Sequence, residues 1–206
     1  SPRNYSLSDR PGAGHYRISV KREPSLTAGT PAGLVSNYLH DHVNVGDMLE
    51  IGPPCGEFTL DPAAGTERPI VLLSGGIGVT PLLSMLKSLA HHCTETPVYF
   101  VHGARDSRVH ALADEVRRIA AERPNIWTHI RYDAPQAHDL QEQHCDSTGL
   151  VDGEFLRDWL PTHDADFYFC GPKPFMAGVY RALKETGVDD SRIHFEFFGP
   201  RQEIAT

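Results

Sequence analysis

The sequence predicts an α/β domain with a mostly parallel sheet, preceded by a shorter part of mainly β character. After residue 68, short apolar runs alternate with amphipathic helical patterns, which is typical of a parallel sheet covered by helices on both faces. Before residue 61, the pattern is that of half-buried strands. Residues 61–68 have the Pro, Ala, Gly and Thr content of a linker, so we expect two domains, at residues 1–62 and 63–206.

The first part is expected to contain a strand at residues 16–21, a short helix at 34–42 and a strand at 48–51. Each strand expected in the second part is a short apolar run, and each helix repeats apolar residues about every three or four positions. The strands are expected at residues 70–73, 98–102, 126–131, 166–170 and 193–197, and the helices at 82–90, 111–121, 153–160 and 174–186. The polar residues 133–148 are expected to form a loop.

A glycine-rich turn follows the first apolar strand of the second part and precedes a helical pattern. Glycine lacks a Cβ atom, so a pyrophosphate can approach the backbone, and a helix start offers unpaired N–H groups and a positive dipole end. Thr80 is the expected N-cap and Pro81 a first-turn proline. A tight turn without a ligand is the alternative. The candidate nucleotide-binding residues are Gly76, Ile77, Gly78, Val79, Thr80 and Pro81.

Composition limits the other classes of function. The net charge of −8 and the isoelectric point of about 5.8 argue against binding to nucleic acid or to an anionic membrane. No apolar run approaches the roughly 20 residues of a membrane span, no signal-peptide pattern is present, and we expect a cytoplasmic protein. The four cysteines are too far apart for a patterned zinc or iron–sulfur site, and His40 and His42 are expected to be solvated, so no metal site is predicted.

Four motifs carry a family resemblance. They are Arg3-Asn4-Tyr5-Ser6, the glycine turn with Thr80 and Pro81, Cys170-Gly171-Pro172, and Glu196-Phe197-Phe198-Gly199-Pro200. Their types and order resemble those of ferredoxin–NAD(P)+ reductase-like enzymes. Within that superfamily, the chain is most similar to the reductase half of flavohemoglobins, the nitric oxide dioxygenases. The similarity lies in residues 35–40, 45–47, 109–111 and 194–196.

The resemblance implies that residues 1–62 are the C-terminal portion of an antiparallel FAD-binding β-barrel, giving an α+β chain overall. It implies that a hydride passes from NADH, or alternatively NADPH, to FAD, and that electrons then reach the haem of a globin domain. A separate oxygenase, flavin or ferric acceptor is an alternative, as is a non-catalytic nucleotide-binding fragment. Because such reductases begin with further barrel strands, we expect a fragment that retains FAD weakly and self-associates through unpaired strand edges.

The resemblance also assigns flavin contacts. Tyr5 and Ser6 offer an aromatic face and a polar donor to the isoalloxazine, and Arg3, beside Asn4, suits an FAD phosphate. An ordinary strand facing water is the alternative. The start of the short helix, at Gly33, Val35 and Ser36, is expected to hold the FAD pyrophosphate, with a plain helix cap as the alternative.

By resemblance, Cys170 borders the nicotinamide, beside the turn at Gly171 and Pro172, although a buried cysteine is more often a small apolar residue. Glu196 lies in a run that otherwise has the pattern of a buried strand. Burying a carboxylate is costly without a partner, so we expect this residue to have a task. The resemblance implies that the task is in flavin reduction and proton traffic. Phe197, Phe198, Gly199 and Pro200 are expected to approach the flavin, and one of the two phenylalanines to be core.

The segment after the second strand is expected to meet the adenosine ribose. Asp106 suits a 2′-hydroxyl and repels a 2′-phosphate, whereas Arg105 and Arg108 suit that phosphate. A solvated loop is the alternative. Because the closest resemblance is to NADH-using flavohemoglobins, we expect a preference for NADH.

Overall fold

A computed structural model describes residues 2–25, 32–63, 68–92 and 95–198 of the chain. Within those residues the strands are β1 Ile70–Gly75, β2 Val98–Ala104, β3 Ile126–Tyr132, β4 Ser147–Thr148, β5 Asp166–Cys170 and β6 Ile193–Glu196. The helices are α1 Leu34–His42, α2 Val79–His91, α3 Ala113–Glu122, α4 Ala137–Gln141, α5 Gly153–Trp159 and α6 Lys173–Glu185. None of the helices within these ranges is long and apolar enough to cross a lipid bilayer.

All six strands form one parallel sheet in the order β4-β3-β2-β1-β5-β6. The predicted parallel α/β domain is therefore confirmed. The chain adds strands in one direction from β1 to β4 and then returns to the other side of β1 for β5 and β6. Ligands of such sheets bind beyond the carboxyl ends of the strands at this change of direction, which here lies between β1 and β5.

The core lies on both faces of the sheet. Every residue of β1 is buried, and alternate side chains of a strand point to opposite faces. Val71 and Leu73 pack with α5 and α6 on one face, whereas Ile70 and Leu72 pack with α2 and α3 on the other. Because β1 is covered on both faces, its carboxyl end is a rigid base for the turn that follows.

Two predictions for the first part are wrong. Residues 16–21 form no strand, and their only ladder contact is an isolated antiparallel bridge between Leu7 and Ile18. Residues 48–51 also form no strand, and Met48 and Ile51 are exposed. Alternation alone does not make a strand, which also needs a hydrogen-bonded neighbour. The predicted helix at 34–42 has the predicted bounds, and the barrel portion is only partly apparent in the described residues.

The predicted loop at 133–148 was also wrong, because it contains α4 and β4. Helix α4 begins with a reciprocal cap: the Gln136 N–H donates to Asp139 Oδ2 at 2.7 Å, and the Gln136 side chain accepts from the backbone of Asp139. Strand β4 is a two-residue pairing with the end of β3. Both elements depend on polar hydrogen bonds rather than on an apolar pattern, so hydrophobic periodicity gave no signal for them.

An ion-pair network attaches the N-terminal segment to the sheet domain. Lys87 of α2 lies 2.7 Å from Glu115 of α3 and 3.3 Å from Asp9. Arg17 Nη1 donates to Glu115 Oε1 at 2.9 Å, and Ser84 Oγ donates to the carbonyl oxygen of Asp9 at 2.7 Å. The segment that carries residues 3–6 is therefore anchored just after its end.

Candidate functional site

The glycine turn and the end of β5 pack backbone against backbone. A Cβ atom at position 78 would collide with the carbonyl oxygen of Cys170 and would lie 2.7 Å from the backbone nitrogen of Gly171. A Cβ atom at position 171 would lie 3.1 Å from the Cα atom of Gly75. Glycine is therefore required at position 78, and the turn after β1 packs tightly against the turn after β5.

The turn leaves an open face for a ligand. Gly76 has a φ of +51°, and no atom lies within 4 Å of where its Cβ would be. Helix α2 starts immediately afterwards, with Gly78 as its N-cap, without a side-chain cap and without an acidic residue in its first turn. The first N–H groups of the helix thus have neither a capping side chain nor a nearby carboxylate.

The predicted cap at Thr80 is wrong. The N-cap is Gly78, two residues earlier, and the helix starts at Val79, because a short 3₁₀ turn at Gly76–Gly78 leads directly into it. Thr80 Oγ1 instead donates to the carbonyl oxygen of Ile77 at 3.1 Å, inside the turn. Val79, Thr80 and Pro81 are buried, so they can offer a ligand only their backbone groups.

Cys170 ends β5 with no exposed surface. In the sheet register, it pairs with Ser74 of β1 on one side and Glu196 of β6 on the other. Burial raises the pKa of the Cys170 thiol far above its ordinary value, and the nearby charge of Glu196 raises it further. The group at this position is therefore a neutral thiol at physiological pH, not a thiolate.

Ser6 and Glu196 bring the N-terminal motif to the same edge of the sheet. Ser6 Oγ donates a hydrogen bond of 2.9 Å to Glu196 Oε2. Tyr5, beside it, is partly buried, and this burial raises the pKa of its hydroxyl. Arg3 and Asn4 are exposed, and Arg3 Nη1 donates to the carbonyl oxygen of Pro2.

The structure corrects the predicted surroundings of Glu196. Strand β6 is the edge strand of the sheet, so Glu196 is partly exposed and Phe195 is 36% exposed, unlike residues of a buried strand. Phe197 packs against the core, and Phe198 is exposed at the carboxyl end of the strand. Gly199 and Pro200 lie outside the described residues.

The start of α1 is engaged with a neighbouring segment. The Glu23 N–H donates to Ser36 Oγ at 3.2 Å, and the Ser36 hydroxyl donates to the carbonyl oxygen of Gly33 at 3.2 Å. Gly33, the N-cap, makes no side-chain cap. Val35 is partly buried. The hydroxyl therefore has a structural role here, which leaves the backbone N–H groups of α1 for an anion.

The segment after β2 holds a closed ion pair. Asp106 is buried, and its Oδ2 accepts from Arg108 Nη2 at 2.7 Å. The hydrogen bond from the Arg108 side chain holds the pKa of Asp106 below its ordinary value. Arg105 is exposed. The sequence analysis treated Asp106 and Arg108 as alternatives for the ribose and did not predict that they pair with each other.

A histidine pair beneath the turn was missed by the sequence analysis. His102 Nδ1 lies 2.8 Å from Ser74 Oγ, its ring stacks on His110 at 4.6 Å, and His110 Nδ1 lies 2.8 Å from the Tyr132 hydroxyl. Burial holds the pKa of His102 well below its ordinary value and lowers that of His110 to about 4. Both rings are therefore neutral at physiological pH. A polar residue within the buried run of β2 was the available signal.

Comparison with known proteins identifies the class. The family model "Oxidoreductase NAD-binding domain" matches residues 72–181, which include the glycine turn and the end of β5. The crystal structure of the flavohem-like FAD/NAD-binding domain of nitric oxide dioxygenase from Vibrio cholerae superimposes with a TM-score of 0.80. It is 36% identical, and the match covers 95% of this chain and 76% of that one. The fold and site are thus those of an oxidoreductase NAD-binding domain.

The sequence relatives narrow that class. The flavohemoprotein of Rhodopirellula baltica is 54% identical over 204 residues, which is 99% of this chain and 50% of the relative. That of Bacillus anthracis is 46% identical over 202 residues, 98% of this chain and 49% of the relative. The chain belongs to the oxidoreductase NAD-binding domain family, and its relatives are flavohemoproteins, which confirms the resemblance to the reductase half of flavohemoglobins. It spans about half the length of these curated relatives.

Proposed function

We propose that this chain is the NADH:FAD reductase part of a flavohemoprotein, which takes a hydride from NADH and delivers electrons through FAD to a globin haem. In the intact protein this supports nitric oxide dioxygenation. The observation that carries the proposal is the hydrogen bond from Ser6 to Glu196, which joins the flavin motif to the sheet edge beside the nucleotide turn. The names of the relatives, flavohemoproteins and a nitric oxide dioxygenase domain, support it.

The residues of the glycine turn fit a dinucleotide pyrophosphate. The open backbone at Gly76 and the uncapped start of α2 offer N–H donors without a competing carboxylate. We assign the pyrophosphate of NADH to the turn formed by Gly76, Ile77, Gly78, Val79, Thr80 and Pro81. Within it, Pro81 has no N–H, and the Val79 N–H donates to the carbonyl oxygens of Gly76 and Ile77, so the other residues supply the donors. The nicotinamide then lies toward the turn formed by Cys170, Gly171 and Pro172, which contacts this glycine turn directly.

The N-terminal motif fits a flavin. Tyr5 offers a partly buried aromatic face, and Ser6 lies between it and Glu196. The exposed guanidinium of Arg3, next to Asn4, is available to an FAD phosphate. The Gly33 N–H donates to the carbonyl oxygen of Glu23 at 3.0 Å. The backbone N–H groups of Val35 and Ser36, in the first turn of α1, are assigned to the FAD pyrophosphate, since a helix leaves its first N–H groups unpaired. Phe197, Phe198, Gly199 and Pro200 are assigned to the flavin face.

In this proposal the protein residues align the nicotinamide with the flavin and place protons beside them. FAD, when bound, supplies the acceptance of a hydride and the release of single electrons. The Cys170 thiol, held neutral by burial, places no charge beneath the turn assigned to the nicotinamide. Glu196 accepts the Ser6 hydroxyl proton in a hydrogen bond, which leaves the Ser6 oxygen lone pairs for the flavin. Phe198, exposed at the end of β6, is assigned to the flavin face.

Domain organisation and assembly are proposals of the same kind. We place the boundary between the FAD part and the NAD part at residues 62 and 63, and the protein in the cytoplasm. Self-association is supported by an exposed apolar row in the FAD part, formed by Val45, Met48, Leu49 and Ile51. Sedimentation of the purified chain tests it, and a concentration-independent monomer contradicts it.

The flavin absorbance of the purified chain tests the proposed function. The chain is purified, loaded with FAD and mixed anaerobically with NADH. We expect the flavin absorbance to bleach. Bound FAD that NADH does not bleach supports a non-catalytic nucleotide-binding module instead. Bleaching followed by no electron transfer to the haem of the intact protein supports a separate acceptor, which the flavohemoprotein names of the relatives do not favour.

A further inference from the structure

We propose that His138, Asp139 and His144 form a binding site for one divalent transition-metal ion, Zn²⁺ being the expected ion. One ligand atom from each residue lies within 4.8 Å of the other two. The cluster lies at α4 and the turn after it, away from the nucleotide turn, in the part of the chain that the sequence predicted as a loop. Two imidazoles and one carboxylate are a donor set that zinc takes in proteins.

The distances match a tetrahedral ion. Asp139 Oδ1 lies 3.3 Å from His138 Nε2 and 3.2 Å from His144 Nδ1. Ligand atoms about 2.0–2.1 Å from a tetrahedral zinc ion lie about 3.3–3.4 Å from one another. Two of the three ligand pairs therefore already have the required spacing, and only the two imidazoles would have to move closer.

The carboxylate is held in a fixed position. Asp139 is fully buried. The Gln136 N–H donates to Asp139 Oδ2 at 2.7 Å. Asp139 Oδ1 therefore faces the two imidazoles in a fixed direction.

The second imidazole has the outer partner typical of metal-bound histidine. His144 Nε2 lies 3.2 Å from Glu142 Oε2, on the opposite side of the ring from Asp139. His144 Nδ1 itself lies within hydrogen-bonding distance of Asp139 Oδ1. With an ion bound, Glu142 would accept the Nε2 proton and thereby leave the Nδ1 lone pair for the metal. Between the end of α4 and His144, the chain turns at Gln143, whose φ is +53°.

The site is accessible to solvent and lies beside residues 105–108, the segment expected to meet the adenosine ribose. The His138 side chain is 47% exposed and that of His144 is 30% exposed, so an ion and a water as fourth ligand can enter from solvent. Ser107 Oγ lies 3.2 Å from His138 Nε2. An ion on His138 Nε2 would therefore replace the hydrogen bond between this nitrogen and Ser107.

The test is a calorimetric titration of the metal-stripped, untagged chain with ZnCl2. We expect one equivalent to bind, and His138→Gln and His144→Ala to weaken binding at least about tenfold each. His42→Ala, which removes an exposed histidine on α1, is the matched control and is expected to change nothing. Equal binding by wild type and both site variants, or no saturable binding by wild type, would overturn the proposal.

A second measurement identifies the donors. Co²⁺ replaces Zn²⁺ as a coloured probe, and we expect visible d–d bands without a thiolate charge-transfer band. Cys145 is next to His144 in sequence, and the exposed Cys55 is a free thiol. A charge-transfer band that disappears in Cys145→Ser or Cys55→Ser would assign the ion to a cysteine and would contradict the His-Asp-His site. His138→Gln changes a largely exposed side chain, so it tests the site even if Asp139→Asn fails to fold.

Discussion

Ser6 and Glu196 lie 190 positions apart in the sequence and are joined by a hydrogen bond of 2.9 Å. Ser6 belongs to the first segment of the chain and Glu196 ends the last strand, next to Cys170 in the sheet register. This contact places the N-terminal motif at the carboxyl edge of the parallel sheet. The proposed flavin and nicotinamide sites therefore share a boundary made of these side chains.

The first expected outcome concerns Gly78. Gly78→Ala adds a Cβ that collides with the Cys170 carbonyl, so we expect a loss of about 1–3 kcal/mol in the free energy of unfolding and weaker NADH binding. Gly178→Ala in α6 is the control, because no atom lies within 4 Å of its added Cβ and alanine favours a helix by about 0.5–1 kcal/mol. Denaturant unfolding measures both. A Gly78→Ala protein as stable as wild type would disprove the close contact between the two turns.

The second prediction concerns the ion-pair network that anchors the N-terminal segment. Glu115 is partly buried, which by itself raises its pKa, but hydrogen bonds from Lys87 and Arg17 lower the pKa overall. Because the folded pKa is below the unfolded one, its contribution is present above pH of about 4.5 and is lost as pH falls through the folded pKa.

Lys87→Met removes the central cation of this network. We expect it to cost about 1 kcal/mol at neutral pH and to flatten the loss of stability below pH of about 4.5. Thermal unfolding across pH measures both effects. Glu122→Gln, which breaks the exposed Arg118–Glu122 pair, is the control and is expected to have no measurable effect. An acid profile that Lys87→Met leaves unchanged would exclude the network as its source.

The third concerns the choice of nucleotide. Arg108 is paired with Asp106 within the loop, so we expect Arg108 not to bind a 2′-phosphate. We therefore expect kcat/KM to be higher for NADH than for NADPH. Arg108→Ala is expected to retain that preference, and the exposed Arg105→Ala is the matched variant. A preference for NADPH that either substitution abolishes would show that the arginines, rather than Asp106, select the nucleotide.

Buried elements were predictable from the sequence, and contacts between distant segments were not. All five long strands of the sheet begin at the predicted residues, because continuous apolar runs such as that of β1 have no stable alternative to burial. The strands expected at 16–21 and 48–51 were wrong, because a strand depends on a neighbour that the local pattern does not specify.

Some features of the candidate site were likewise predictable from the sequence, and others were not. The glycine turn was identified from its residues, because only glycine permits the contact with Cys170. The Thr80 cap was wrong, because a 3₁₀ turn placed the cap of α2 two residues earlier, at Gly78. The pairing of His102 with Ser74 depends on a contact between two strands, and the His-Asp-His cluster depends on the local fold of α4. Hydrophobic periodicity predicts neither.

Stopped-flow reduction of the FAD-loaded protein by NADH tests the central claim most directly. We expect Cys170→Ala, Glu196→Gln and Ser6→Ala each to slow flavin reduction about tenfold or more while changing the Kd for NADH less, because the proposed roles are in alignment and proton placement. Glu185→Gln, an exposed carboxylate at the end of α6, is the control. Reduction rates equal to wild type in all three variants would contradict the account and leave these residues a purely structural role.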